Sequence, residues 1–188
     1  MRPDLVFLGL SATWGVIELL LAASRMARGR EAGRDRGSML AIWLGITLGF
    51  VAGFWLLGRR LAPIPLPAKP RLVLATLLLL AGLALRFWAM AALGRLFTFN
   101  VAIRDRHELV SRGPYRWLRH PSYTGALMAF LALGLGLGDA LALAALFVPV
   151  LAGMLYRIRV EERVLRKEFG EAWDAYAARR WRLVPGLW

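Results

Sequence analysis

Long apolar runs dominate this chain and limit its fold more than any other feature. Three of them cover residues 6–23, 39–57 and 72–93, and a fourth extends from residue 123 to residue 156. A helix needs about 20 apolar residues to cross the hydrocarbon core of a bilayer. Because 59% of the 188 residues are hydrophobic and 20% are charged, the composition argues against a water-soluble globule and excludes a disordered chain. The sequence predicts an all-α integral membrane protein.

The fourth run is too long for a single crossing. Gly134, Gly136, Gly138 and Asp139 interrupt it midway, and glycines followed by an aspartate are typical of a turn between two helices. We therefore expect a helical hairpin in this region. With the three earlier runs, the hairpin gives about five transmembrane helices.

The positive charges indicate on which side of the membrane each loop lies. Of the 25 lysines and arginines, 19 fall in residues 24–38, 94–122 and 157–188. Cytoplasmic loops carry such an excess, so we expect the N-terminus outside and the 94–122 loop and C-terminal segment in the cytoplasm. The net charge is +13, and the positively charged residues lie mostly between the apolar runs. No continuous basic stripe of the kind that binds nucleic acid is therefore expected.

Two ionisable residues, Glu18 and Arg86, lie inside apolar runs. Charged side chains at membrane depth are costly to bury, which makes both residues functional candidates. The alternatives are that each side chain reaches a water interface or that the two form a structural pair. Glu18 also argues against interpreting residues 1–24 as a cleaved signal peptide, whose apolar region is shorter and uncharged.

Glycine recurs at every fourth position of the second run, at Gly45, Gly49 and Gly53. Small residues at this spacing let two helix backbones approach closely. We expect this face to pack inside the bundle or to join the protomers of a homo-oligomer. A non-enzymatic subunit that binds a partner through this face is a further alternative, but it leaves the polar cytoplasmic segments without a role.

Polar chemistry is concentrated in the loop before the hairpin. Both histidines of the chain, His107 and His120, lie there. Pro121 suits the first turn of a helix and pushes His120 out of the helical region, so free backbone N–H groups at this helix start can meet an anion. The chain has no cysteine, and two histidines alone make no metal-ligand set, so we predict no metal.

The segment after the hairpin is expected to continue as a helix. Arg157 and Glu161 then share one face at i, i+4 spacing. An apolar stripe along this segment is expected to lie on lipid headgroups or to fold back on the loop. The stripe consists of Leu165, Phe169, Trp173 and Tyr176. The solvated side of the helix is expected to carry Glu162, Arg163, Arg166 and Lys167.

A set of motif residues runs through the second half of the chain in a fixed order. The order is His107-x-Leu-Val, Gly113-Pro-Tyr115, Arg119-His120-Pro121-x-Tyr123-x-Gly125, Glu161-Glu162, Phe169-Gly170 and Tyr176. In this order the chain resembles the isoprenylcysteine carboxyl methyltransferase family, a wider group that includes phospholipid N-methyltransferases. The resemblance covers roughly residues 93–185 and is specific for the superfamily but weak for the substrate. Trp173 stands where many members have tyrosine.

The resemblance implies a membrane-embedded enzyme that uses S-adenosylmethionine without a Rossmann domain. Residues 1–93 would supply three transmembrane helices, and residues 94–188 would form the catalytic half. In that half, the cytoplasmic loop and C-terminal interfacial helices would form the cofactor site. Arg157 would face the methyl acceptor, and Glu161 would close the site as the second catalytic residue. The cofactor-binding residues that the resemblance implies are His107, Glu108, Leu109, Val110, Tyr115, His120, Pro121, Ser122, Tyr123 and Glu161.

The predicted acceptor is a lipophilic carboxylate, such as that of a prenylated cysteine, which enters from the bilayer. A carboxylate is already ionised and needs only a cation such as Arg157, whereas an amine must first lose a proton to a base. The alternatives are N-methylation of a phosphatidylethanolamine-type phospholipid and S-methylation of a small thiol. A nicotinamide-dependent membrane reductase is less favoured, because similar reductases are usually much longer.

Overall fold

The computed structural model describes residues 3–26, 36–94 and 109–187. Within these ranges the chain is helical between its turns, and extended pairing is limited to two isolated bridges. A short 3-10 helix covers Gly113–Arg116. The α-helices are α1 (Pro3–Met26), α2 (Arg36–Leu57), α3 (Ala68–Leu93), α4 (Pro121–Leu137), α5 (Ala140–Phe169) and α6 (Glu171–Ala178).

Four of the described helices, α1, α2, α3 and α5, are long and apolar enough to cross a membrane. The fifth apolar helix, α4, is shorter, at 17 residues. The predicted all-helical membrane fold is thereby confirmed, whereas the number of crossings stays a prediction. Pro121 occupies the first position of α4, where its missing N–H costs no hydrogen bond.

The turn between α4 and α5 confirms the predicted hairpin. Gly138 has φ +79°, a left-handed conformation that suits glycine. Asp139 caps α5, and its Oδ1 accepts a hydrogen bond from the Ala142 N–H at 2.9 Å. Its Oδ2 accepts from the Ala62 N–H at 2.8 Å, so the same carboxylate also ties the hairpin to the connection between α2 and α3.

The glycine face of α2 packs on α5 within the same chain. A Cβ atom at Gly45 would lie 2.5 Å from the Pro149 carbonyl oxygen, and one at Gly49 would lie 2.5 Å from that of Leu146. The two backbones therefore touch where a larger residue would separate them. Of the two arrangements predicted for Gly45, Gly49 and Gly53, the structure contains packing inside the bundle, and a homo-oligomer stays a prediction.

A second close approach joins α3 to α4. A Cβ atom at Gly82 would lie 2.6 Å from the Gly125 carbonyl oxygen. The largest core cluster combines residues of α1, α3, α4 and α5, with Leu79 and Leu146 almost completely buried. Residues 1–93 and 94–188 differ in their motifs, but their helices share this core.

Candidate functional site

The loop before α4 is held against α3 and the C-terminal segment. Gly113 opens its 3-10 helix with φ +58°, and Tyr115 is 6% exposed. Val110 and Tyr115 pack with Ala89 of α3. Burial, reinforced by the nearby Glu161 carboxylate, raises the pKa of Tyr115 well above its ordinary value of 10.0. The Tyr115 phenol is therefore neutral at physiological pH.

The residues after α6 return along this loop and pair with it. Leu118 and Trp181 form an isolated parallel bridge, in which the Arg119 N–H donates to the Trp181 carbonyl at 2.8 Å. The Thr124 hydroxyl donates to the Leu183 carbonyl at 2.8 Å. The C-terminal segment thus lines the start of α4, a contact that no local sequence pattern indicates.

The aromatic residues of α6 also face the loop. Trp173 is 5% exposed and stacks on Tyr176 with ring centroids 5.5 Å apart. The Tyr176 hydroxyl donates to the Val110 carbonyl at 3.0 Å, and burial raises the pKa of Tyr176 to about 12. Of the two arrangements predicted for the apolar stripe, these two residues adopt the one that folds back on the loop.

Glu162 lies at the centre of a charge cluster. Its Oε1 is 3.0 Å from both His120 Nε2 and Arg119 NH1, and its Oε2 is 2.8 Å from Arg182 NH2. The Glu162 side chain is only 13% exposed. The prediction that Glu162 belongs to the solvated side of the helix is therefore wrong, because the loop and the C-terminal segment cover this position. The other three residues predicted there, Arg163, Arg166 and Lys167, are exposed.

A second cluster centres on the Tyr123 hydroxyl. It donates to Glu161 Oε2 at 2.9 Å and accepts from Arg157 Nε at 3.3 Å. Arg157 is 2% exposed and also donates from NH1 to Ser38 Oγ of α2 at 2.8 Å. The predicted shared face of Arg157 and Glu161 is confirmed. Sequence reasoning missed Ser38, because a single serine at the start of an apolar helix carries no signal of its own.

The rings of His120 and Tyr123 stack with centroids 5.7 Å apart, and this contact joins the two clusters. Pro121 and Ser122, which lie between His120 and Tyr123 in the sequence, are buried at the start of α4. Leu109 is half-buried at the beginning of the described loop. The structure therefore brings together most of the predicted site residues, and their roles stay predictions. His107 and Glu108 lie outside the described residues.

The groups present fit S-adenosylmethionine, which combines an adenine, a ribose, a sulfonium and an amino-acid end. The buried Nε of Arg119 has no hydrogen-bond partner in the part of the chain that the structure describes, and such a donor suits a carboxylate. The carboxylate of Glu161 suits hydroxyl or ammonium donors. Among the residues in the described ranges, no group of three or more His, Cys, Asp or Glu side chains can hold a metal ion.

Residues 74–167, half of the chain, match the isoprenylcysteine carboxyl methyltransferase (ICMT) family. Protein-S-isoprenylcysteine O-methyltransferase B of Arabidopsis thaliana is 35% identical over 104 residues, which are 54% of this chain and 53% of that protein. Nickel-cobalt-cadmium resistance protein NccN of Alcaligenes xylosoxydans xylosoxydans is 35% identical over 100 residues, 52% of this chain and 46% of that protein. The chain thus spans about half the length of the curated relatives it matches.

A solved structure of the eukaryotic intramembrane Ras methyltransferase ICMT shares the fold. The TM-score is 0.58 at 19% sequence identity, and the match covers 100% of this chain and 69% of that one. At this sequence identity the match shows only that the helices are arranged alike. It includes the N-terminal helices, for which the sequence offers no motif.

Proposed function

Because the chain belongs to the isoprenylcysteine carboxyl methyltransferase family, we propose that it is a membrane-embedded methyltransferase. It transfers a methyl group from S-adenosylmethionine to a lipophilic carboxylate, such as that of a prenylated cysteine. One observation carries the proposal. The Tyr123 hydroxyl joins Glu161 to Arg157, so the side chains proposed to serve cofactor and acceptor meet at a single phenol.

The proposed cofactor site uses the loop and the start of α4. The rings of Tyr115 and Tyr123 offer aromatic faces for the adenine. Glu161 accepts from the ribose hydroxyls or the ammonium group, and Nε of Arg119, which has no partner among the described residues, donates to the carboxylate end. The family resemblance adds His107, Glu108, Leu109, Val110, His120, Pro121 and Ser122.

The proposed acceptor side requires a cation rather than a base. When bound, S-adenosylmethionine would supply a methyl group on a sulfonium, whose transfer to a carboxylate oxygen would form a neutral methyl ester and leave a neutral thioether. Arg157 steers the acceptor carboxylate, because its guanidinium is buried and oriented by Ser38 and Tyr123. Alignment of the reactants and exclusion of water are the main contributions of the chain to the rate.

An amine or thiol acceptor would demand a base to remove its proton. Glu162 is poorly placed for that role, since His120, Arg119 and Arg182 already engage its two oxygens. This arrangement favours a carboxylate acceptor over N-methylation of a phospholipid or S-methylation of a thiol. We place the site on the cytoplasmic side, with the N-terminus outside, because the loop and C-terminal segment carry most of the positive charge.

The test is calorimetric binding of S-adenosylmethionine to detergent-purified protein, comparing wild type with Glu161→Ala. Saturable wild-type binding that the substitution removes supports the cofactor class and its location. Prenylcysteine acids and phosphatidylethanolamine are then compared as methyl acceptors. If folded, monodisperse wild type does not bind S-adenosylmethionine, the methyltransferase proposal fails, and nicotinamide cofactors are titrated next.

A further inference from the structure

Arg86 of α3 forms an ion pair with Glu18 of α1 in the apolar interior. Its Nε contacts Glu18 Oε1, and its NH2 donates to Oε2 at 2.6 Å. The Trp14 indole N–H donates to the same carboxylate at 3.1 Å, and Arg86 is only 7% exposed. Of the alternatives that the sequence leaves open for Glu18 and Arg86, the structure contains the pair.

The remaining nitrogen of the guanidinium reaches the candidate site. Arg86 NH1 donates to the Ser122 carbonyl oxygen at 3.2 Å and to the Ser122 hydroxyl at 3.0 Å. Ser122 is buried and directly precedes Tyr123, whose hydroxyl joins Arg157 and Glu161. Arg86 therefore connects α1, which lies outside the residues matched by the family, to the backbone that carries the motif.

The geometry of this connection is rigid. A guanidinium is planar, so the two contacts that Nε and NH2 make with Glu18 determine where NH1 points. The backbones of α3 and α4 are also in close contact here, because a Cβ atom at Gly125 would lie 2.7 Å from the backbone nitrogen of Arg86. While Arg86 keeps both contacts with Glu18, NH1 is therefore directed at Ser122.

We propose that Glu18 and Arg86 are positioning residues of the methyl-transfer site. The Glu18 carboxylate orients the guanidinium, and the guanidinium holds Ser122 so that His120 contacts Glu162 and Tyr123 contacts Glu161. This inference rests on the proposed function, because it assigns the pair to the same site. It gives the N-terminal helix α1 a role in cofactor binding without any contact to the cofactor.

Two variants separate positioning from simple stabilisation. Arg86→Lys retains the positive charge opposite Glu18. It loses the planar guanidinium, which contacts Glu18 and Ser122 simultaneously. The exchanged pair Glu18→Arg with Arg86→Glu restores opposite charges but presents a carboxylate to the Ser122 carbonyl. A matched control is Arg166→Gln, which breaks the exposed Arg166–Asp174 pair, whose side chains are 69% and 51% accessible.

The experiment measures S-adenosylmethionine affinity by calorimetry and the melting temperature of each purified variant. We expect Arg86→Lys to weaken the affinity by about tenfold, the effect of losing a charge-assisted hydrogen bond, with a melting temperature close to that of wild type. The exchanged pair should recover melting temperature relative to Glu18→Arg alone but should not recover affinity. Arg166→Gln should change neither quantity.

Wild-type affinity in Arg86→Lys overturns the inference, and so does an exchanged pair that recovers affinity together with stability. If the exchanged pair does not fold, Arg86→Lys decides the question alone. These failures differ from failure of the proposed function, which appears as absent binding in wild type and removes both proposals.

Discussion

Each end of the α4–α5 hairpin contains a carboxylate that other segments of the chain contact, and the two have different kinds of partner. At the turn, Asp139 accepts hydrogen bonds from the backbone N–H groups of Ala62 and Ala142. At the open end, Glu162 contacts the side chains of His120, Arg119 and Arg182. Backbone amides are available in any sequence, so the first arrangement only shapes the chain. The second arrangement requires particular side chains from segments that are distant in sequence.

Among the variants that compare the two ends of the hairpin, Arg157→Ala is expected to have the largest effect on activity. Removal of this buried cation should lower the rate of carboxyl methylation by at least about a hundredfold, because the acceptor loses its alignment. Cofactor affinity should be nearly unchanged. Single-turnover kinetics and calorimetry measure the two quantities, with the exposed Arg163→Ala as control. An equal loss of cofactor affinity would place Arg157 in the cofactor site instead.

The two carboxylates can be compared by replacing each with the corresponding amide side chain. Glu162→Gln removes the charge that Arg119, Arg182 and His120 contact, so S-adenosylmethionine affinity should fall by about tenfold. Asp139→Asn replaces one acceptor oxygen with an NH2 group, so the melting temperature should fall by about 2 to 4 °C without a change in affinity. Both quantities are measured on both variants. A loss of affinity in Asp139→Asn would break the distinction between the two ends.

Alanine at two tightly packed glycines sharpens the comparison sterically. Gly49→Ala forces a Cβ to within 2.5 Å of the Leu146 carbonyl oxygen, far from the site. Gly125→Ala crowds the Arg86 backbone beside it. Each should cost about 1 to 3 kcal/mol of stability through overpacking, measured by thermal unfolding, but only Gly125→Ala should also weaken cofactor binding. Gly9→Ala, where a Cβ would meet nothing within 4 Å, is the control, and equal cofactor affinity in all three variants would contradict this expectation.

The smallest effect is expected from pH. The pKa of Tyr176 rises from 10.0 to about 12 on burial, so the folded chain holds this proton more tightly than the unfolded chain. The stabilisation is present below pH 10.0 and is lost as the pH rises towards about 12. Melting temperatures recorded across this interval should fall less steeply for Tyr176→Phe than for wild type. Identical slopes would show that the phenol does not contribute.

The hairpin and the Arg157–Glu161 face could be predicted because each depends on local information. Glycines and an aspartate inside an apolar run specify a turn, and i, i+4 spacing specifies a shared helix face. The burial of Glu162 could not be predicted in this way. Its neighbours Arg163 and Arg166 are exposed, and what covers Glu162 comes from segments about 20 and 42 residues away in sequence.

The contacts of Ser38 and Arg86 could not be predicted for the same reason, because they involve residues that are distant in sequence. The sequence identifies Arg86 as an ionisable residue at membrane depth, but its partner choice depends on how α1, α3 and α4 pack. Only the close contact at Gly82 and Gly125 brings Arg86 to Ser122. Helix packing therefore decides which motif residues meet, whereas the sequence indicates which residues are candidates.

The unequal lengths of the hairpin helices have a consequence for the surrounding lipid. With 17 residues, α4 is about 26 Å long at 1.5 Å per residue, whereas a typical hydrocarbon core is about 30 Å thick. By contrast, α5 has 30 residues and extends well past that thickness. If α4 crosses the membrane as predicted, local thinning to match its length would place His120 and Tyr123 at the depth of the lipid headgroups. For the proposed function, shorter acyl chains in the host bilayer are therefore expected to favour turnover of the acceptor.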